Sequence, residues 1–381
     1  MRIAYLHSGS VPSVYANGIH VMRMCDAFTG AGHDVTLYAL PGTYPADDPH
    51  AYYGTRHRFP IRTVPAADTG ADGYRERAAH IGKSLRAETA PDLIYGRDAY
   101  SLAVAPGVAP LVYETHQLWD DPDLCRAENE LLARPALARI VVITHALARD
   151  FRRAHQGRAL PPVFVAPDCA DPPTPGTPAP ELPGREGVPR IGYVGHLYRG
   201  RGIDLILDLA DRLPGADFHL VGGTAQDLAH WQGARRPRNV HFHGHRPPGD
   251  VRAYYPLFDV VLAPYQDKVY AAGGLGETSR WASPMKLFEY LAHGRAVVAS
   301  DLPVLREVLT DGVNCLLRPP TDANAWQSAI TDLLTDTPLR QALGDEGRRQ
   351  VLTHHTWRRR ADDVLAGLGL PPGNSPGAPG R

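Results

Sequence analysis

Residues 279–309 read SRWASPMKLFEYLAHGRAVVASDLPVLREVL. This stretch predicts a helix start, a helix body, a helix stop, a buried strand and the start of another helix. Ser283 suits the cap of the first helix and Pro284 its first position. Met285, Leu287, Phe288 and Leu291 supply apolar contacts, and Gly294 can close the helix in a left-handed turn. AVVAS, residues 296–300, then reads as a fully buried strand. The chemistry sits at the front of the helix. Free backbone N–H groups at a helix N-terminus attract anions, phosphate above all. Lys286 stands in that first turn and Glu289 one turn later. A cation, a phosphate-ready helix end and a carboxylate are parts that could hold a nucleoside diphosphate, with Glu289 on the ribose hydroxyls.

Outward from this stretch, strand and helix patterns alternate along the chain, which predicts parallel sheets covered by helices. The first half offers RIAYLH, DVTLYAL, DLIYG, LVYETH, RIVVIT and VFVAPD as strands. Between them helices are expected over 18–28, over YRERAAHIGKSLRAE, and over about 123–137. The segment DPPTPGTPAPELPGREGVP is dense in Pro and Gly and reads as a stiff linker. The second half restarts with PRIGYVG and continues through DFHLVGG, NVHFHG, DVVLAPY, AVVASD and NCLLRP. Helices fit there at about 202–212, 248–256, 284–293, 303–309 and 322–335, with more to about 368. Open parallel sheets bind ligands at the carboxyl ends of their strands, so two such halves place the substrate in a cleft between domains.

Composition narrows the class. The chain has 381 residues, 43% of them hydrophobic, enough for two cores. A net charge of -1 and a pI near 7.0 give no global electrostatic case for nucleic acid. No apolar run reaches the roughly 18–20 residues a membrane span needs. The start, MRIAYLHSGSVP, reads as a first strand and not as a secretion signal. Cys25, Cys125, Cys169 and Cys315 have no CxxC spacing and read as reduced cytosolic thiols. The only lysines are Lys83, Lys268 and Lys286. In so Arg-rich a chain, a Lys in the key motif hints at a point-charge phosphate ligand.

The run Ser283–Gly294 resembles the donor-site motif of the family 4 retaining glycosyltransferases, in the branch that reads SP-x-K-x-FEY-x-A-x-G. That family has the GT-B fold: α/β, two Rossmann-like doubly wound parallel-sheet domains facing a central cleft. The resemblance implies an acceptor-binding domain over 1–170, a Pro-rich linker over 171–189 and a donor-binding domain over 190–353. A C-terminal helix over 354–370 then packs back on the first domain, and 371–381 form a disordered tail. Other branches carry Glu, seven residues, Glu. Here the second is Glu289, and the first falls at Trp281, which removes a sugar-facing carboxylate and leaves the sugar contacts as the least secure part of the transfer; Glu277 in the preceding loop is a weak candidate to replace it.

The resemblance also implies roles elsewhere. GYVGHLYRGRGIDLIL, residues 192–207, ends a strand and opens a helix. Arg201 matches a basic residue that contacts the donor diphosphate, Arg199 adds charge, and His196 stands where many members have Arg. PLVYETHQLWDD, residues 110–121, delivers Glu114 and His116 to a strand end. His116 matches a cleft histidine near the reacting sugar, able to orient it or handle the acceptor proton; Glu114 is a second, weaker candidate there, or a cap for backbone groups. Asn17 and Gly18 mark a strand-to-helix turn, with Asn17 toward the acceptor and Gly18 allowing the donor phosphate close to the backbone. Ser283, Met285 and Leu287 complete the helix front. Gly244 and His245 neighbour the nucleobase. His241, His243 and His245 alternate on one strand face, but no nearby acid or Cys completes a zinc set, and no metal is expected. There is no GxGxxG, and no cofactor is expected beyond the sugar nucleotide as co-substrate. Asp121-Pro122-Asp123 spells the DxD of a different transferase fold, which two Rossmann-like halves argue against.

The expected activity is therefore metal-independent, retaining transfer from a nucleoside-diphosphate sugar to an acceptor: a glycan, a lipid-linked sugar or a small molecule. Its pocket falls to first-domain loops such as 42–63. The expected site is cytoplasmic; Arg149, Arg152, Arg153 and Arg158 read as a solvated helix face that could also touch anionic lipid weakly. Two alternatives stay open: a GT-B sugar-nucleotide epimerase, which needs added acids, and a catalytically idle sugar-nucleotide binder, which the missing first Glu keeps alive.

Overall fold

The computed structural model describes residues 1–87, 89–233, 237–269 and 279–370. Glu277 and the tail 371–381 lie outside the described residues. The chain forms two compact units. The first takes residues 1–167 and, from late in the sequence, the helix Trp357–Leu365; the second takes 168–356.

The first unit holds a seven-stranded parallel sheet. Its strands are β1 (Arg2–Val11), β2 (Asp34–Pro41), β3 (Ile61–Thr63), β4 (Leu93–Gly96), β5 (Leu111–Thr115), β6 (Leu137–Val142) and β7 (Val163–Val165). Their spatial order is β3-β2-β1-β4-β5-β6-β7. The strand order reverses between β1 and β4. β4 and β5 are buried at every position, as strands covered on both faces must be. β3 was not foreseen: IRT is short and partly exposed, so it carries no run of apolar residues.

The second unit repeats the plan with six parallel strands. They are β8 (Arg190–Val194), β9 (Asp217–Val221), β10 (Val240–Gly244), β11 (Val260–Ala263), β12 (Ala296–Ser300) and β13 (Leu316–Arg318), in the order β10-β9-β8-β11-β12-β13. The reversal here falls between β8 and β11. Ile191, Phe218, Leu262 and Val298 meet Trp326 and Ile330 of the helix Ala323–Thr335 in one core.

Several helices depart from expectation. The helix expected to run to 137 ends at Leu132, because Leu137 opens β6. The pattern at 248–256 gives only Pro248–Val251 and a 3-10 turn at Tyr255–Leu257; Pro256 cannot continue a helix. The expected helix 303–309 is a 3-10 turn at Leu305–Glu307. The stretch 171–189 is tied to the second unit. Asp171 pairs with Arg252 at 3.0 Å, and Arg185 donates to Asp217 at 2.7 Å and to the Ala216 carbonyl at 3.0 Å. No described helix is long and apolar enough to cross a membrane.

Candidate active site

The helix Met285–Ala292 follows the loop after β11 and stops as its sequence predicts. Gly294 takes a φ of +64°, and Arg295 N–H returns to the Tyr290 carbonyl at 3.1 Å. Its front differs from expectation. Pro284, not Ser283, occupies the cap position, and no side chain caps the helix. Ser283 Oγ instead accepts from Asp168 N–H at 2.9 Å. Leu287 N–H donates to the Pro284 carbonyl at 3.0 Å, and its side chain is buried. Met285, the first helical residue, keeps its place at the front.

Lys286 turns from this helix toward the end of β8. A Cβ on Gly195, the residue that follows β8, would fall 2.7 Å from its Nζ, so only glycine lets the ammonium approach there. The Nζ lies 3.8 Å from the centre of the Tyr193 ring and 5.2 Å from that of Tyr265. Arg201, on the loop after β8, lies 5.3 Å from the same Tyr265 ring and 5.0 Å from Tyr198. The two cations therefore share an aromatic wall at the point where the sheet order reverses. Lys286 Nζ and Arg201 Nε are buried, and among the described residues neither finds a hydrogen-bond partner. Cation–π contact offsets part of that cost, about 0.5–2 kcal/mol per contact, but it does not neutralise charge. Burial, then the neighbouring Arg201, pulls the Lys286 ammonium well below its usual range, against the smaller pull of Glu289. Burial and the same two cations push His196 down to about 4. An anion placed here would reverse both effects.

Glu289 shares the helix face of Lys286, and its Oε2 accepts the hydroxyl of fully buried Tyr255. Arg199 is exposed on the Arg201 loop. Gly244 closes β10 and accepts from Gly222 N–H at 2.9 Å, while His245 is half-buried just beyond it and acts electrostatically on His196. Trp281 is half-buried in the 3-10 turn Ser279–Trp281. His241 and His243 stack on His219, at 5.0 and 5.3 Å between ring centres, and His243 bonds to it at 3.1 Å.

The first unit builds a different centre. Glu114 is the last-but-one residue of β5 and is fully buried. It is not a backbone cap. Its Oε1 takes His116 Nε2 at 2.6 Å, His20 Nε2 at 2.7 Å and Arg360 Nη2 at 2.9 Å, and its Oε2 takes the Tyr95 hydroxyl. Burial works against its charge, but Arg360, His20 and His116 outweigh it and hold the carboxyl well below the usual range. Burial also lowers His116 to about 3, more than Glu114 raises it. His116 is thus a neutral imidazole. With Nε2–H donated to Glu114, it keeps a lone pair on Nδ1.

His20, Glu114 and His116 bring their donor atoms within 4.8 Å of one another, a spacing that could hold a metal. The Arg360 guanidinium sits on the same carboxylate and supplies its positive charge instead. Sequence reading missed His20 and Arg360. His20 carries no motif, and Arg360 stands 246 residues from Glu114 in an unremarkable run of arginines. Gly18 makes room for Tyr53: a Cβ there would meet its hydroxyl at 2.6 Å. Asn17 is exposed, and its Oδ1 accepts Gly18 N–H at 2.7 Å. Asp121 Oδ1 caps the next helix, accepting from Asp123 and Leu124 N–H at 3.0 and 2.9 Å, and Asp123 pairs with Arg75. The DxD string is therefore helix-start chemistry.

Two parallel sheets of this kind, each with a polar centre near the carboxyl ends of its strands, define the GT-B class. The solved structures agree. Sucrose-phosphate synthase from Thermosynechococcus elongatus is 20% identical with a TM-score of 0.69, over 96% of this chain and 97% of that one. HepE of Anabaena, solved with UDP and glucose, is 17% identical with a TM-score of 0.69, over 97% and 99%. Residues 18–172 match the family described as Glycosyltransferase Family 4, and residues 188–336 match Glycosyl transferases group 1. The two matched segments fall on the two sheets of the GT-B fold. Among relatives, a putative teichuronic acid biosynthesis glycosyltransferase, TuaH of Bacillus subtilis, is 32% identical over 124 residues, 32% of this chain and 29% of that protein. The chain spans less than half the length of this and the next such relatives.

Proposed function

We propose that the chain transfers a sugar from a nucleoside-diphosphate sugar to an acceptor hydroxyl, with retention and without a metal ion. One observation carries the reading: Lys286 and Arg201 are two cations with a buried Nζ and a buried Nε, walled by tyrosines, and no described carboxylate pairs with either. Such a pair is preorganised for a diphosphate. The donor diphosphate lies against Lys286, Arg201 and the front of the helix Met285–Ala292, with Arg199 adding charge from solvent. Glu289 holds the ribose, and Gly244 and His245 neighbour the base. As the anomeric carbon parts from the phosphate oxygen, charge grows on the diphosphate, and the two cations stabilise it in place of a divalent ion. The acceptor oxygen forms the new bond on the face that the diphosphate leaves, and its proton passes to the departing phosphate oxygen. His116, held neutral and oriented by Glu114, keeps its Nδ1 edge for a polar partner.

The test is thermal stability with a panel of nucleoside diphosphates, on wild type and Lys286→Ala. A ligand at about 100 times its dissociation constant adds about 2.7 kcal/mol. The expected result is a shift for one nucleotide that the variant loses. An equal shift in both proteins overturns the placement, and product anomeric configuration, read by NMR once an acceptor is found, decides retention.

A further inference from the structure

The reversal point of the first sheet holds charge that the Glu114 network does not use. His7 lies on β1 with 2% of its surface exposed, and neither ring nitrogen has a hydrogen-bond partner among the described residues. Arg97 follows β4 directly. Its N–H donates to the Leu6 carbonyl at 2.9 Å, which sets it beside His7. Its Nη1 is also buried, again with no hydrogen-bond partner among the described residues.

The acids nearby are committed elsewhere. Asp98 binds Arg77 at 2.5 Å and Ser101 Oγ at 2.5 Å, and Glu114 binds Arg360. The ring edge of His7 faces Gly9, two residues further along β1: a Cβ there would fall 2.5 Å from Nε2 and 3.1 Å from Asn17 Nδ2. Glycine there leaves no side chain over the imidazole. Burial first, then the Arg97 and Arg77 guanidinium groups, disfavour a proton on His7. A buried polar group left unpaired costs about 1–3 kcal/mol. A neutral imidazole offers one N–H, so His7 and the Arg97 Nη1 group present two unpaired buried donors at a sheet's ligand-binding edge, which suits an oxyanion.

We propose that His7 and Arg97 form an oxyanion site that takes a carboxylate or phosphate group carried by the acceptor. The acceptor assignment rests on the transferase reading above; the anion site itself does not. Arg97 supplies the charge and His7 a directional donor.

The test titrates inorganic phosphate, and separately acetate, into the full chain at constant ionic strength. It follows the thermal midpoint and the His7 ring nitrogens by NMR. Each titration runs with and without a saturating amount of the nucleotide found above. Saturable binding that moves the His7 signals and survives the nucleotide is expected. Arg97→Gln should weaken it roughly tenfold to a hundredfold, Arg97→Lys should restore part, and Lys286→Ala should leave it unchanged. Equal affinity in wild type and Arg97→Gln, or no saturable binding, overturns the site. Binding that the nucleotide abolishes assigns the anion to the donor and overturns the acceptor reading. If Arg97→Gln does not fold, His7→Asn and Arg97→Lys carry the same comparison. A nucleotide response that Lys286→Ala does not change would sink the transferase reading alone, because the phosphate titration stays readable.

Discussion

The two reversal points share a topology and differ in electrostatics. In the second unit, Lys286 and Arg201 lie against tyrosine rings, and Glu289 exerts only a minor pull on Lys286 without pairing with it. In the first unit, Glu114 is a carboxylate answered several times over, by Arg360, His20, His116 and Tyr95. One centre carries buried cations with no hydrogen-bond partner at Lys286 Nζ or Arg201 Nε among the described residues. The other is complete and serves to hold one imidazole still. Stability and function should therefore separate in opposite ways when each is cut.

The largest effect is expected on stability at the first centre. Arg360→Met leaves the Glu114 carboxylate buried without its cation, and breaking such a pair costs about 3–5 kcal/mol. Adding Glu114→Gln to that variant should recover a good part of the loss, since no charge is then stranded. Urea unfolding of the single and double variants reads this directly; a loss under about 1 kcal/mol in the single variant would show that the pair is not the support that its geometry implies.

The same cut at the second centre should go the other way. Lys286→Met removes a buried cation that has no ionic partner among the described residues, so urea unfolding without ligand should show equal or higher stability. Transfer should fall by about 10²–10³, the scale for losing one preorganised charge donor. Lower apo stability with normal turnover would reverse the comparison.

This contrast also marks what the sequence made legible. Buried parallel strands announce themselves through apolar runs, and every expected strand is present; only β3, three partly exposed residues, lacked a signal. Lys286, Glu289 and Arg201 were legible because a helix start and a glycine loop concentrate them in short segments. Their neighbours were not. The aromatic wall joins Tyr193, Tyr198 and Tyr265 from two strand ends, and no local pattern says that they converge. His20 and Arg360 reach Glu114 from distant helices, so only the fold shows that β5 carries a network and not a capping acid. Ser283 and Gly18 mislead in a different way. A capping residue and a turn glycine were read by local rules: Ser283 serves Asp168 and does not cap the helix, and at Gly18 the local rule did not show that the missing side chain also makes room for Tyr53.

A smaller effect follows from the His116 imidazole. In the folded chain burial holds it to about 3, while the unfolded chain titrates near 6.5. Between those values the unfolded state takes up a proton that the folded state refuses. Stability should then fall as pH drops from about 6.5 toward 3, by up to about 1.4 kcal/mol per pH unit from this group. Burial lowers other histidines too, His219 to about 3 and His196 to about 4. The readout is therefore the difference between wild type and His116→Asn from pH 6.5 to 5, above the range in which an unfolded Glu titrates. A shallower slope in the variant is expected; parallel slopes would place a charged His116 in the fold and remove the neutral imidazole from the proposed reaction.

The smallest effect tests whether burial or charge count governs the donor site. Arg199 and Arg201 share one loop and one charge, but Arg199 is exposed while Arg201 has its Nε buried beside Tyr265. Water and salt screen an exposed charge, which is worth about 1 kcal/mol at most. Arg199→Ala should weaken nucleotide binding by no more than about fivefold, and raising the salt should erase the difference. Arg201→Ala should lose far more and keep its deficit in salt, because its field acts where water is excluded. Calorimetric titration of both variants at low and high salt decides. Equal losses would mean that the loop works by summed charge, and the tyrosine wall would then be packing alone.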